Sequence, residues 1–312
     1  MNEIFNQITT AELEEVRKRA IKFLVSKLPT LIESSATNTQ FNKEFEDLVV
    51  KNVKQVLVDV DAEEFILFIK LLASLPSMST LTGRQDLVNI IMAQCELDKP
   101  YDVNDVERLM ILMSCLQQAL PLFSKNVQST KYVYLYLDNV MSSFKKIQDD
   151  NVRFELLKAF AELCIHFNGS SPLAQQSNSN VNQSLDLLFN LLVEYLPMPI
   201  EIVQLETPEA TAAQQQNDDD KFNFSYVECL LYAFHVMVKF HPDFFTNNQE
   251  AKEKLRDFRL RLQYFAKGTQ NYIKELRNSI TSNMKEDEEV IIRFINRTSF
   301  LFEYIFDIIH LE

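Results

Sequence analysis

Cysteine and histidine are the residue types best suited to nucleophilic or proton-transfer work, so their spacing is the first test for chemistry. Cys164 and His166 stand two apart, and on a helix such neighbours point away from each other. Cys229 and His235 lie six apart, with no third residue placed to orient the imidazole. The chain has no His-Glu-x-x-His, no Cys-x-x-Cys and no glycine-rich phosphate loop. Its 3 glycines leave little material for a nucleophile elbow or an anion cradle. No catalytic, cofactor-binding or metal-ligating residues emerge, and the sequence argues against an enzyme.

Charge offers the other chemistry, partner binding. Acids gather at helix starts: Glu12, Glu14 and Glu15, then Asp59, Asp61, Glu63 and Glu64. In a stacked array, equivalent helix ends align along one edge. Glu14, Asp59, Asp61, Glu63 and Glu64 are therefore candidates for an acidic ridge that steers a basic partner. Helix capping and the helix dipole alone account for Asp61 and Glu64. Further on, Arg256, Arg259, Gln263, Lys267, Gln270, Lys274 and Arg277 recur at helical spacing and form a basic strip. That strip suits an acidic partner, the acidic stretch Glu201–Asp220, or plain solvation. The same helix repeats Leu255, Leu262, Thr269 and Leu276 every seventh position, like a leucine zipper with one substitution. Its other seam is Phe258, Phe265 and Tyr272, rings too bulky for two-stranded packing, and Leu260, Tyr264 and Ile273 widen the stripe. Core packing against the preceding helix is the simpler reading. Leu188-x-x-Leu191-Leu192 matches a nuclear-receptor box, a pattern that core packing of a leucine-rich helix also produces.

The totals narrow the partners. With 31 Lys+Arg against 44 Asp+Glu the net charge is −13, which counts against broad nucleic-acid or anionic-membrane binding. Four cysteines, Cys95, Cys115, Cys164 and Cys229, sit singly in apolar runs, as buried thiols of a reducing compartment do. No signal peptide and no apolar run of membrane-spanning length is present, so an intracellular protein is expected.

The elements that must position these residues read as helices. Thr9-x-x-Glu12 predicts a helix start, with Val16, Ala20, Phe23, Leu24 and Leu28 inward, Arg17, Lys18, Arg19 and Lys22 outward, and an end at Pro29. A helix over roughly 41–57 leads to the cap Asp61-x-x-Glu64 and the apolar run FILFIKLLASL. Gly83 precedes a short helix, Asn104-x-x-Glu107 caps another, and Pro121 ends or kinks it. KYVYLYLDNVMSSF and NVRFELLKAFAELC form the next pair, then SLDLLFNLLVEYL follows a polar loop and stops at Pro197 and Pro199. Glu201–Asp220 carries six acids and no base, the pattern of a disordered loop. Ser225-x-x-Glu228 reads as a capping box stapled by Phe224, opening a helix buried on most sides with a thin polar strip of Glu228, Tyr232, His235 and Lys239. Pro242 separates it from the zipper-like helix, and VIIRFINRTSFLFEYIFDII closes the chain.

Helix pairs recurring at roughly 40–45 residues predict an all-α fold, a right-handed α-solenoid of HEAT/armadillo-like antiparallel pairs. Glu14 with Val16-Arg17, and Asp150 with Val152-Arg153, repeat one acid-x-Val-Arg mark, the kind that ties neighbouring HEAT repeats. The expected organisation is HEAT-like repeats over 1–75, armadillo-like repeats over 76–200, the acidic loop 201–221, and C-terminal armadillo-like helices over 222–312.

VRKRAIKFLVSKL from Val16, AEEFILFIKLL from Ala62, TGRQDLV from Thr82, LPLFSKNVQST from Leu120, FSYVECLLYAFH from Phe224 and LRDFRLRLQYFAKG from Leu255 resemble, in order, the apoptosis inhibitor 5 family. The resemblance runs from about Phe5 to His310. It implies a nuclear, non-enzymatic helical-repeat scaffold that opposes programmed cell death. Its implied partners are fibroblast growth factor 2, Acinus and the RNA helicases of mRNA processing and export, with no direct nucleic acid, membrane or small-molecule substrate. Lys125 aligns with a lysine acetylated in the family. Against the family pattern, Met1 falls part-way into the HEAT array, Glu312 precedes the basic import tail, and Thr269 interrupts the zipper. Nuclear targeting is thereby put in doubt, a cytoplasmic location stays open, and Ile4, Phe5 and Ile8 are expected to make a sticky apolar end. The alternative is a nuclear-transport or mRNA-export adaptor of the helical-repeat class. Armadillo importins read basic peptides with Trp and Asn ladders, and this chain has no Trp. An RNA-binding solenoid is a third class, disfavoured by the charge.

Overall fold

Helix-favouring composition and scarce glycine leave the backbone one economical way to satisfy its hydrogen bonds, and the structure takes it. The computed structural model describes residues 2–10, 14–34, 39–57, 60–170, 181–196, 198, 223–247 and 249–279, and every regular element among them is helical. The helices are α1 (Asn2–Thr10), α2 (Glu14–Ser34), α3 (Thr39–Val56), α4 (Ala62–Ala73), α5 (Leu81–Gln94), α6 (Val106–Ala119), α7 (Thr130–Asn139), α8 (Asp150–Cys164), α9 (Val181–Tyr195), α10 (Phe224–Val238) and α11 (Gln249–Ser279). Glu201–Asp220 and the closing run after Ser279 lie outside the described residues. The chain divides into two compact units, Met1–Leu135 and Tyr136–Glu312.

In the first unit α1 packs on α2 and α3, α2 on α4, and α4 on α5 and α6. The core comes from Ile21, Leu24 and Leu28 of α2, Val49, Val53 and Val56 of α3, and Phe65, Phe68, Ile69, Leu71 and Leu72 of α4. Asp61 and Glu64 form the expected capping box: the Asp61 carboxylate accepts from Glu64 N–H at 2.8 Å, and Asp61 N–H donates to Glu64 Oε2 at 3.3 Å.

Several local features of the first unit differ from what the sequence predicts. Thr9 opens no helix; α1 runs through it to Thr10, and Glu12 lies outside the described residues. The buried stripe of α2 is rotated. Val16 and Phe23 are 43% and 52% exposed, while Ile21 is buried, because apolar residues surround most of this helix and its neighbours choose the inner face. Pro29 does not end α2, which continues to Ser34 without the hydrogen bond that proline cannot donate. Phe5 and Ile8 are buried where α1 meets α2 and α3, so they are not the exposed apolar residues expected of a sticky end. Gly83 lies inside α5, whose cap is Thr80, and Asp105 rather than Asn104 caps α6. The glycine has a packing reason. A Cβ there would stand 2.0 Å from the Ser77 carbonyl oxygen in the 3₁₀ turn Pro76–Ser79.

The second unit is built around α10, which packs on α8 and α9 and buries ten of its residues, from Tyr226 to Val238. His235, expected on its polar strip, is among them, 4% exposed. Asn223 stands at its N-terminus without a side-chain cap bond, and Ser225 lies within the helix, so the expected capping box is absent. Phe224 begins the helix because its ring packs on Phe265 and Tyr272 of α11, at 5.6 and 5.4 Å between centroids. Phe189 of α9, Phe234 of α10, Phe245 of the 3₁₀ turn Pro242–Phe245 and Phe258 of α11 form a mutually contacting aromatic cluster at 5.1–6.1 Å, most pairs edge to face.

Candidate functional site: charged helix faces

The expected acidic ridge meets its own cations. Arg17 Nη2 lies 3.0 Å from Glu64 Oε2, and Lys18 Nζ lies 3.0 Å from Glu63 Oε2 and 3.4 Å from Asp61 Oδ2. Two members of the supposed outer basic face of α2 thus turn toward α4, while Arg19 and Lys22 stay exposed. Glu64 is 2% exposed, and burial pushes its carboxyl above the ordinary value although the Asp61 N–H and Arg17 both favour the anion. Asp61 goes the other way: a smaller solvent loss raises it, but the Glu64 N–H and Lys18 together hold it below the usual value. Asp61 and Glu63 remain exposed and share one lysine. The Glu14 side chain and Asp59 lie outside the described residues.

The second acid-x-Val-Arg mark ties α8 to α10. Arg153 Nη2 sits 2.8 Å from Asp150 Oδ1, which also accepts the Tyr226 hydroxyl at 2.8 Å. Tyr226 stacks on Tyr195 at 5.0 Å, and burial followed by that carboxylate pushes its phenol pKa up. Nothing in the spacing of the sequence pointed to Tyr226 as the partner.

Helix α11 has two unlike faces. Leu255, Leu262 and Thr269 are 8%, 0% and 1% exposed, alongside fully buried Phe258 and Phe265. The Thr269 hydroxyl donates to the Phe265 carbonyl at 2.9 Å, which satisfies the polar atom that interrupts the leucine spacing. Leu260 is 38% exposed and lies outside the buried stripe; the Leu276 side chain lies outside the described residues. On the opposite face Arg256, Gln263, Lys267, Gln270 and Lys274 are exposed and Arg259 is half-buried, with the Arg277 side chain outside the described residues. Arg256, Lys267 and Lys274 form no ion pair among the described residues, whereas Lys254 and Arg261 of the same helix do. Arg261 bonds Asp257 at 2.8 Å and the carbonyls of Leu196 and Val193 at 3.0 and 3.4 Å, closing the C-terminal end of α9. Nothing in the helical spacing separates Arg261 from its solvated neighbours.

All four cysteines are buried free thiols, and burial pushes the Cys164 thiol well above its ordinary value. No group of three or more His, Cys, Asp or Glu suited to a metal occurs among the described residues. Leu188, Leu191 and Leu192 of the receptor-box match are buried in the core, and Lys125 is exposed. No described helix is long and apolar enough to cross a membrane.

A family model described as Apoptosis inhibitory protein 5 (API5) matches residues 1–299. The chain belongs to the apoptosis inhibitor 5 family. It is similar to Apoptosis inhibitor 5 of Homo sapiens, 40% identical over 287 residues, which cover 91% of this chain and 51% of that protein. The Mus musculus protein of the same name is 40% identical over 287 residues, covering 91% of this chain and 53% of that one. The Drosophila melanogaster Apoptosis inhibitor 5 homolog is 33% identical over 293 residues, covering 91% and 50%. The chain spans about half the length of the curated relatives it matches. For an apoptosis inhibitor 5 chain, the zipper-like leucines described here are interior residues and the charged surface of the same helix faces outward.

Proposed function

We propose that this chain is a non-enzymatic helical-repeat interaction scaffold that opposes programmed cell death by binding protein partners. The family match over residues 1–299 carries the reading, since its relatives bear the name Apoptosis inhibitor 5. Stacking of sequence neighbours supports a repeat architecture: α5 packs on α4 and α6 on α5, as in an α-solenoid. Buried thiols and outward-facing charged strips suit a surface that holds partners better than one that transforms substrates. The partners proposed are those the resemblance implies, fibroblast growth factor 2, Acinus and mRNA-export helicases, and the proposed location is the nucleus.

The test is complementation. Cells depleted of their own apoptosis inhibitor 5 and expressing this chain should survive an apoptotic stimulus as well as cells given the relative. Death at the rate of uncomplemented cells, with the chain present and helical, would refute the proposal.

A further inference from the structure

The outward face of α6 is apolar where a surface helix ordinarily carries polar groups. Val106, Met110 and Met113 follow one another at steps of four and three, so they fall within about 60° of the helix circumference and span about 10 Å of its axis. Val106 and Met110 are each 63% exposed, Met113 is half-buried, and Ile111 beside the line is 43% exposed. The opposite side of α6 already supplies the core: Leu112, Cys115, Leu116 and Ala119 are buried, and the helix packs on α4 and α5. Core packing therefore gives no reason for the outer line. At its N-terminal end stand Asp98, Asp102, Asp105 and Glu107, all exposed and none in an ion pair among the described residues. The two cations of that region are occupied. Lys99 Nζ lies 2.7 Å from Glu96 Oε1, and the Arg108 guanidinium donates to the carbonyls of Pro100, Lys99 and Glu96 at 2.7–2.9 Å. The last turn of α6 carries only the neutral Gln117 and Gln118 as polar groups.

We propose that this face of α6 docks the apolar side of a partner protein's amphipathic helix whose C-terminal end is basic. Spacing, side-chain type and charge each select that occupant. A helix laid alongside presents apolar anchors at i, i+4 and i+7, with rises of about 6.0 and 4.5 Å. Those equal the rises from Val106 to Met110 and from Met110 to Met113. An extended segment repeats same-side residues every ~6.7 Å and overshoots the line by roughly 3 Å in two repeats. Methionine is unbranched and polarizable, so Met110 and Met113 reshape around an anchor without demanding one contour. The four acids set the direction. Lysines or arginines in the last turn of the partner helix, where its own dipole favours them, lie over Asp98 to Glu107 when that helix runs antiparallel to α6. The same acids repel nucleic acid and an anionic bilayer, and a second copy of this chain brings net charge −13 to a face that lacks free cations.

The proposal rests on the scaffold reading and is tested apart from it. The probe is a labelled synthetic helical peptide of roughly 18 residues, with leucines at i, i+4 and i+7 and lysines in its last turn. Its control isomer keeps the lysines and spreads the leucines around the helix. Anisotropy against the whole chain should show the aligned peptide binding at least about tenfold more tightly, roughly 1.4 kcal/mol. Val106→Ser with Met110→Gln should remove most of that difference whatever the salt, because the lost contact is apolar. Asp98→Asn with Glu107→Gln should weaken binding about threefold at about 50 mM salt and hardly at all at about 300 mM, where exposed charges are screened. All four altered side chains are exposed, so an unchanged melting curve certifies the fold. Moving the lysines to the first turn of the peptide should weaken binding, as the antiparallel course requires. Equal binding of aligned and control peptides, indifference to Val106→Ser with Met110→Gln, or tighter binding of a single-stranded oligonucleotide overturns the proposal. So does a dimer in light scattering that the same two substitutions dissolve, since the face then belongs to a second copy. Cell rescue without peptide binding overturns the α6 face alone; peptide binding without rescue overturns the scaffold reading alone.

Discussion

Replacing Arg17 with Met should destabilise the first unit in a way that depends on pH. Glu64 is 2% exposed, and its anion is held by Arg17 at 3.0 Å and the Asp61 N–H at 3.3 Å, while Oε1 has no hydrogen-bond partner among the described residues. Removing one partner of a buried pair costs about 3–5 kcal/mol, because the other charge is left behind. The Arg17 side chain is 18% exposed, so water screens part of that, and about 2–3 kcal/mol is expected. The sign follows from the carboxyl, already raised above 4.5 by burial. Without Arg17 it rises further in the folded state. A group so raised contributes stability below its unfolded value and loses it as pH climbs through the folded value. The penalty of Arg17→Met should therefore be small near pH 4.5 and largest near pH 7, as a difference between urea midpoints of variant and parent. Glu64→Gln keeps the acceptor for Asp61 N–H and removes the charge. Added to Arg17→Met it should restore part of the loss, a coupling of about 1.5–2 kcal/mol. A cost under about 0.5 kcal/mol that is equal at both pH values, or strictly additive single effects, would refute the buried-charge account.

Leu262→Ala with Phe265→Ala should lower thermal stability by several kcal/mol, since each truncates a fully buried side chain by about 2–5 kcal/mol; a parent-like melt with lost binding would mean that the stripe works as an exposed zipper. Gly83→Ala should destabilise by about 1–3 kcal/mol although alanine is the better helix former, because its Cβ would meet backbone atoms of Ser77 and Met78 at 2.0 and 2.6 Å. A raised melting temperature would contradict that close approach. Arg261→Ala should cost about 1.5–3 kcal/mol in chemical denaturation through the carbonyls of Leu196 and Val193, whereas Lys267→Ala on the strip should change stability by under about 0.5 kcal/mol.

The helices were legible where one pattern dominated. Asp61-x-x-Glu64 before an apolar run specifies a start that tertiary packing has no reason to move, and the structure keeps it. Facing was less legible where apolar residues crowd a helix. Ala20, Ile21, Phe23, Leu24 and Val25 allow more than one inner stripe, and the neighbours of α2 select Ile21 and Leu24 over Phe23. Caps failed where good candidates stand side by side, as Asn104 and Asp105 do, or where a distant ring outweighs a local bond, as Phe224 shows against Phe265. The charged faces divide in the same way. Exposure of the strip follows from its period, but the capture of Arg17, Lys18 and Arg261 by acids and carbonyls up to 68 positions away is written only in three dimensions.

The anchoring of α11 has a thermodynamic consequence for anything that docks on it. Phe258, Leu262, Phe265 and Thr269 fix one side, and Arg261 fastens it to the end of α9, so the helix has no backbone freedom left to lose there. Only the arginine and lysine rotamers must be ordered, at about 0.5–1.5 kcal/mol each. The remaining entropic cost falls on the partner. An acidic segment that is helical before it arrives loses little, whereas one that must fold on contact gives up about 2–5 kcal/mol of its gross interaction energy. Two segments of identical charge should thus be ranked by how helical each is when free, so a rigid row of cations selects among acidic segments by their conformation in solution.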